Sequence, residues 1–157
     1  MRVFVTGVLA MVVWVAGAAP VEAQAHVGVR AGVSADPDQF FFGGHIETRP
    51  LIERLTFRPN VELGIGDDLT VFTGNLEFVY SVPLRQPWRV YFGAGPALVV
   101  FSRDDDGPGN DDNDNDGAGG GFNILLGAQH SGGLFGELKI GLVDSPELKV
   151  TIGYAFR

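Results

Sequence analysis

The chain has 157 residues, no cysteine, 23 glycines and a formal net charge of −8. The missing thiols exclude a disulfide framework and thiolate metal sites. The acidic balance, without a basic patch or a phosphate-cradling glycine loop, points away from nucleic acids and nucleotides.

Residues 1–25 have the layout of a secretory signal peptide. A short basic start, Met1-Arg2, precedes an apolar run over 3–16, which Gly17-Ala18-Ala19-Pro20 breaks. Small residues in Val21-Glu22-Ala23 and Ala23-Gln24-Ala25 place cleavage after Ala23 or Ala25. The apolar run is shorter than the roughly 20 residues a transmembrane helix needs. An uncleaved N-terminal anchor is the alternative. Residues 26–157 then make one domain of about 130 residues. An exported domain of this size without disulfides needs another source of stability. A closed β-barrel is one, because every backbone group finds a partner and no edge remains.

Beyond residue 25 the sequence alternates apolar and polar residues, the period of two that marks a strand. Residues 25–33 set Val27, Val29, Ala31 and Val33 against His26, Gly28, Arg30 and Gly32, and Ala35-Asp36-Pro37-Asp38 turns the chain. Residues 40–48 set Phe40, Phe42 and Ile46 against Phe41, His45 and Glu47. Residues 57–65 alternate Phe57, Val61, Leu63 and Ile65 with Arg58, Asn60, Glu62 and Gly64; Pro59 counts against a central strand, since it cannot donate to the ladder. Gly66-Asp67-Asp68 reads as a hairpin turn before residues 70–80, with Phe72, Leu76, Phe78 and Tyr80 opposite Thr73, Asn75 and Glu77. Residues 88–102 carry Trp88, Val90, Phe92, Leu98 and Val100 against Arg89, Tyr91, Gly93 and Gly95. A polar loop is expected over 103–121. Three strands follow, over 122–129, 134–142 and 148–156, giving eight of about ten residues, the length that crosses a bilayer at a tilt.

Alternation alone does not say which face is inside. A soluble lipocalin-like binder would turn the apolar face inward; a membrane barrel would turn it outward. The apolar face is too rich in large side chains for the narrow interior of eight strands. The other face mixes glycine with charges of both signs: Arg30, Glu47, Arg58, Glu62, Glu77, Glu137 and Lys139. Glycine weakens a strand and has no purpose on a wetted surface. In a narrow lumen it leaves room for crossing ion pairs, and buried charges must be paired. His26 and His45 are expected to face such carboxylates, and no His spacing suits a metal. Phe40, Phe57, Trp88, Phe122, Tyr154 and Phe156 fall near strand ends, where aromatic girdles form.

The last strand alternates strictly. Leu148, Val150, Ile152, Tyr154 and Phe156 point one way; Lys149, Thr151, Gly153 and Ala155 point the other. An alternating final strand with the ending Gly153-Tyr154-Ala155-Phe156 resembles the closing strand of bacterial outer-membrane barrels, although Arg157 follows the terminal aromatic here. With the strand count and the glycine-rich polar face, residues 26–157 resemble the eight-stranded family that includes the outer-membrane protein A membrane domain and outer-membrane protein X. The fold expected is all-β, an eight-stranded antiparallel up-and-down transmembrane β-barrel. The resemblance implies location in the bacterial outer membrane, contact with its lipid, insertion through the machinery that reads the C-terminal strand, and a monomer. It implies a structural, adhesion or surface-interaction role with no catalysis and leaves the external partner open. In that topology the connections at 34–39, 66–69, 103–121 and 143–147 face outside, and those at 49–55, 82–87 and 130–133 face the periplasm.

Much of the charge sits in one place. Residues 103–116 hold Arg103 and seven aspartates, Asp104, Asp105, Asp106, Asp111, Asp112, Asp114 and Asp116. Within them Asp112-Asn113-Asp114-Asn115-Asp116-Gly117 has the D-x-D-x-D-G start of a calcium loop. Alternate carboxylates supply hard oxygens and the glycine a sharp turn. Position twelve, where a bidentate glutamate would close an EF-hand, is Asn123. The segment therefore suits weak Ca2+ binding through Asp112, Asp114 and Asp116, or a solvated acidic tip, and no other cofactor is expected. A lipid A-modifying enzyme is a further alternative, with His130, Ser131 and Glu137 as its triad. It requires the three to assemble within hydrogen-bond reach.

Overall fold

The computed structural model describes residues 25–66, 69–103, 116–143 and 147–156. The signal-peptide expectation falls outside these residues, apart from Ala25. Eight strands follow one another: β1 His26–Ala35, β2 Gln39–Glu47, β3 Leu55–Ile65, β4 Leu69–Pro83, β5 Trp88–Arg103, β6 Asp116–His130, β7 Leu134–Val143 and β8 Leu148–Ala155. Each pairs antiparallel with its neighbour in the chain, and β8 returns to β1 to close the barrel.

The period of two in the sequence becomes an inner and an outer wall. Directly opposed residues face the same side of a sheet. Thus Val29, opposite Gly44 and Tyr154, looks out, and Arg30, opposite Gly43 and Gly153, looks in. Phe40, Leu98, Leu126 and Ile152 are each more than half exposed on the outer wall, whereas Glu62, Glu77 and Lys139 are fully buried inside. This radial order is the inverse of a soluble barrel, so the lipocalin-like alternative, which needs the apolar face inward, is overturned.

Three expectations about the elements need correction. The strands are unequal: β4, β5 and β6 have 15, 16 and 15 residues, while β8 has 8. The loop expected at 103–121 is shorter, because β6 begins at Asp116 and Gly117–Gly121 pair with Ala97–Phe101 of β5. Glycine makes a weak strand alone, but here the apolar run of β5 supplies the template and each glycine contributes only backbone. Phe122 consequently stands mid-strand, opposite Pro96, and not at a strand end.

Pro83 ends β4, and the two prolines inside strands, Pro59 and Pro96, fall where a donor is not needed. The β2–β3 ladder runs from Phe40↔Ile65 to His45↔Asn60, so Pro59 lies just past it. On β5, the register to β4 passes from Asn75↔Ala97 to Phe78↔Ala94, leaving Pro96 and Gly95 in the gap.

Candidate functional site

The barrel interior holds the chemistry. Its centre is a network of three carboxylates and four cations from β1, β3, β4, β7 and β8. Glu62 accepts from Arg30 Nη1 at 3.1 Å, Lys139 Nζ at 3.2 Å and Lys149 Nζ at 2.7 Å. Glu77 takes Lys139 Nζ at 2.6 Å and Arg58 Nη2 at 3.3 Å. Glu137 accepts from Arg58 Nη2 and from the Tyr91 hydroxyl at 3.0 Å, with Arg30 Nη1 at 3.6 Å. Each carboxylate therefore bridges at least two cations, the arrangement that offsets loss of water from buried charges. Some of the cationic groups also lie over rings. The Arg58 guanidinium is 4.9 Å from the Tyr91 centroid, and the Lys149 ammonium 5.0 Å from that of Phe41.

Two further layers border this network. Towards β6, Asn123 Nδ2 donates to Asn75 Oδ1 at 2.7 Å, and Asn75 Nδ2 donates to Asn60 Oδ1 at 2.8 Å. The Asn75–Asn123 bond spans β5, whose small Ala97 and Gly95 lie opposite Asn75 and Asn123 in the ladder. At the end of the barrel where β1 begins and β8 finishes, Arg89 Nη2 donates to Glu47 Oε1 at 3.1 Å and its guanidinium also holds Gln129. We call this the terminal end and the opposite one the loop end.

The structure thus brings together six of the residues expected inside, Arg30, Arg58, Glu62, Glu77, Glu137 and Lys139. It places Glu47 apart, with Arg89. Lys149 belongs to the central network, and strict alternation in β8 already puts it on the inner face. The lumen glycines differ from expectation in purpose. Gly28, Gly32, Gly127 and Gly153 lie directly opposite His45, Phe41, Tyr91 and Phe135, and each inward ring occupies the space a β-carbon would need. They make room chiefly for rings, and the ion pairs cross between those rings. His45 does not face a carboxylate. It is packed edge-on to Phe135 with centroids 5.3 Å apart, because the stronger cations take the carboxylates.

The expected calcium residues lie mostly beyond description. Asp112 and Asp114 fall outside the described residues, and Asp116 is the first residue of β6. Asn123 points into the lumen and is engaged by Asn75, away from that connection. No cluster of three metal-ligating side chains forms among the described residues. The triad does not assemble: Glu137 is fixed by Arg58 and Tyr91 in the lumen, while His130 Nδ1 accepts the Gly132 N–H at 2.9 Å in the turn after β6.

With this geometry in place, the crystal structure of Neisserial surface protein A superposes with a TM-score of 0.63, over 83% of this chain and 94% of that one. The chain has the fold of Neisserial surface protein A. The identity is 14%, so what is shared with Neisserial surface protein A is architecture: strand number, order and closure. The resemblance to eight-stranded outer-membrane barrels holds at that level. No protein-family model and no curated protein sequence matches the chain.

Proposed function

We propose that the chain is a non-enzymatic outer-membrane barrel that keeps its terminal end in the periplasm and displays the acidic 104–115 connection outside. Its role on this reading is structural anchoring, adhesion or surface interaction. One observation carries the proposal: the radial inversion, with a belt of exposed Val, Leu, Ile and Phe around a core of paired charges. In water that belt would be an apolar patch far larger than a soluble monomer exposes. In a bilayer it is the solvent-matched face, and backbone closure removes the unpaired groups that lipid cannot satisfy. The fold shared with a protein named as a surface protein supports the same reading.

The final strand, with outward Tyr154 and Phe156, supports recognition by the barrel-insertion machinery. The D-x-D-x-D-G segment at 112–117 supports weak calcium binding on the external side. The test of location is fractionation. The protein should remain with outer membranes until detergent is added and should migrate differently in detergent gels before and after boiling. Release as a soluble periplasmic protein would end the proposal.

A further inference from the structure

We propose that the terminal rim of the barrel is a seat for anionic phospholipid headgroups, formed by Arg49, Arg54 and Arg85 around Leu51, Ile52 and Leu84. It rests on the membrane reading above and adds a lipid class and the residues that select it.

The β2–β3 connection is held in a fixed form. Leu51 N–H donates to Leu55 O at 2.6 Å and Leu55 N–H to Ile52 O at 2.8 Å, while Ser81 N–H donates to Arg54 O at 3.1 Å and ties the turn to β4. A turn so pinned would normally fold its apolar side chains under. Here Leu51 and Ile52 are 56% and 70% exposed, and Leu84 in the adjacent β4–β5 turn is 54% exposed. Arg49, Arg54 and Arg85 are exposed beside them and make no ion pair among the described residues. Glu53 is the lone carboxylate in these two turns.

The level of this rim relative to the bilayer follows from the rings above it. Four ring pairs, Phe57–Phe78, Tyr80–Phe92, Trp88–His130 and Tyr154–Phe156, all lie at the terminal end. Such a belt marks the passage from hydrocarbon to headgroups. The turns one step beyond it are then at the depth of the phosphates. Leucine and isoleucine there continue the apolar wall, and arginine stems lie along it with their guanidinium groups outward. A guanidinium binds a phosphate with paired hydrogen bonds. The opposite end repels such lipid: its connections carry Asp36 and Asp38, Asp67 and Asp68, the seven aspartates of 104–116, and Asp144 with Glu147. Among the side chains described, the exposed arginines are therefore gathered at one rim of the barrel.

Trp88 stands in this rim, and the only other tryptophan is Trp14. With Trp14→Phe in the full chain, Trp88 reports its own lipid neighbours. The protein is reconstituted in vesicles of phosphatidylcholine and phosphatidylglycerol, with one or the other lipid carrying dibrominated acyl chains that quench indole. The expected result is a relative association at Trp88 of at least about fivefold in favour of brominated phosphatidylglycerol, the factor that the attraction of a single basic residue implies. The preference should fall to near unity in the Arg49→Ser/Arg54→Ser/Arg85→Ser variant, and in the parent chain at about 0.5 M NaCl. Equal quenching by the two lipids, or a preference that survives both salt and the triple variant, overturns the proposal. Should the triple variant fail to fold, Arg85→Ser and the salt series decide. Quenching by neither lipid would instead overturn the membrane reading itself.

Discussion

The ring of Phe135 on β7 fills the space that a side chain at Gly153 on β8 would require. The two are directly opposed, and a β-carbon at Gly153 would lie 2.6 Å from Cε1 of that ring and 2.5 Å from the carbonyl oxygen of Val29. Neither distance is sustainable, so Gly153→Ala must displace a buried ring or a ladder carbonyl. Overpacking of this kind costs about 1–3 kcal/mol. Urea unfolding in detergent micelles should show a lowered midpoint. Phe135→Leu added to Gly153→Ala should recover part of the loss, because the two share one site. An unchanged midpoint in Gly153→Ala would mean that the contact is not a constraint.

Glu62 is the carboxylate with most to lose. Arg30, Lys139 and Lys149 all donate to it, and its side chain is 1% exposed. Glu62→Gln leaves four buried cations to two carboxylates, with Lys149 losing its carboxylate partner, and breaking a buried pair costs about 3–5 kcal/mol. Glu47 pairs with the partly exposed Arg89, so Glu47→Gln should cost less than about 1 kcal/mol. Equal effects on the two unfolding midpoints would contradict the picture of one central network and one peripheral pair.

The lumen is filled across its width. Arg58, Glu77, Glu137, Lys139 and Tyr91 meet in mid-barrel, and an eight-stranded interior is only wide enough for side chains. Planar-bilayer recordings of the folded protein are expected to show no discrete conductance steps. Steps that persist through repeated reconstitutions would show the plug to be open.

Calcium can be tested directly. On the calcium reading, calorimetry of the folded protein should give a binding heat at millimolar Ca2+ that Asp112→Asn together with Asp114→Asn abolishes. A flat titration would leave residues 104–116 as a solvated acidic tip.

Most of the architecture was legible because a period of two runs along each strand, and one parity assignment fixes the facing of a whole strand. The polarity of the wall followed from counting large side chains against the width of an eight-stranded interior. Local chemistry misled at 117–121, where five small residues read as loop although β5 supplied a pairing edge. Which charges would meet was less legible. Parity puts Lys149 and Glu47 on the same inner face as Glu62, but their partners depend on height within the barrel, which the stagger between strands sets. The match of ring to glycine was likewise hidden, since it needs the register across a seam and not the pattern along a strand.

That match has a consequence for how the wall assembles. A sliding error of two residues keeps every side chain on its proper face, so hydrophobicity cannot reject it. In the β7–β8 seam such an error would set Phe135 against Thr151 or Ala155, which carry the β-carbon that Gly153 lacks. Tyr91 would likewise meet Leu125 or Gln129 in place of Gly127. Ring and glycine thus act as peg and notch, proofreading the alignment of neighbouring staves before the cask is closed.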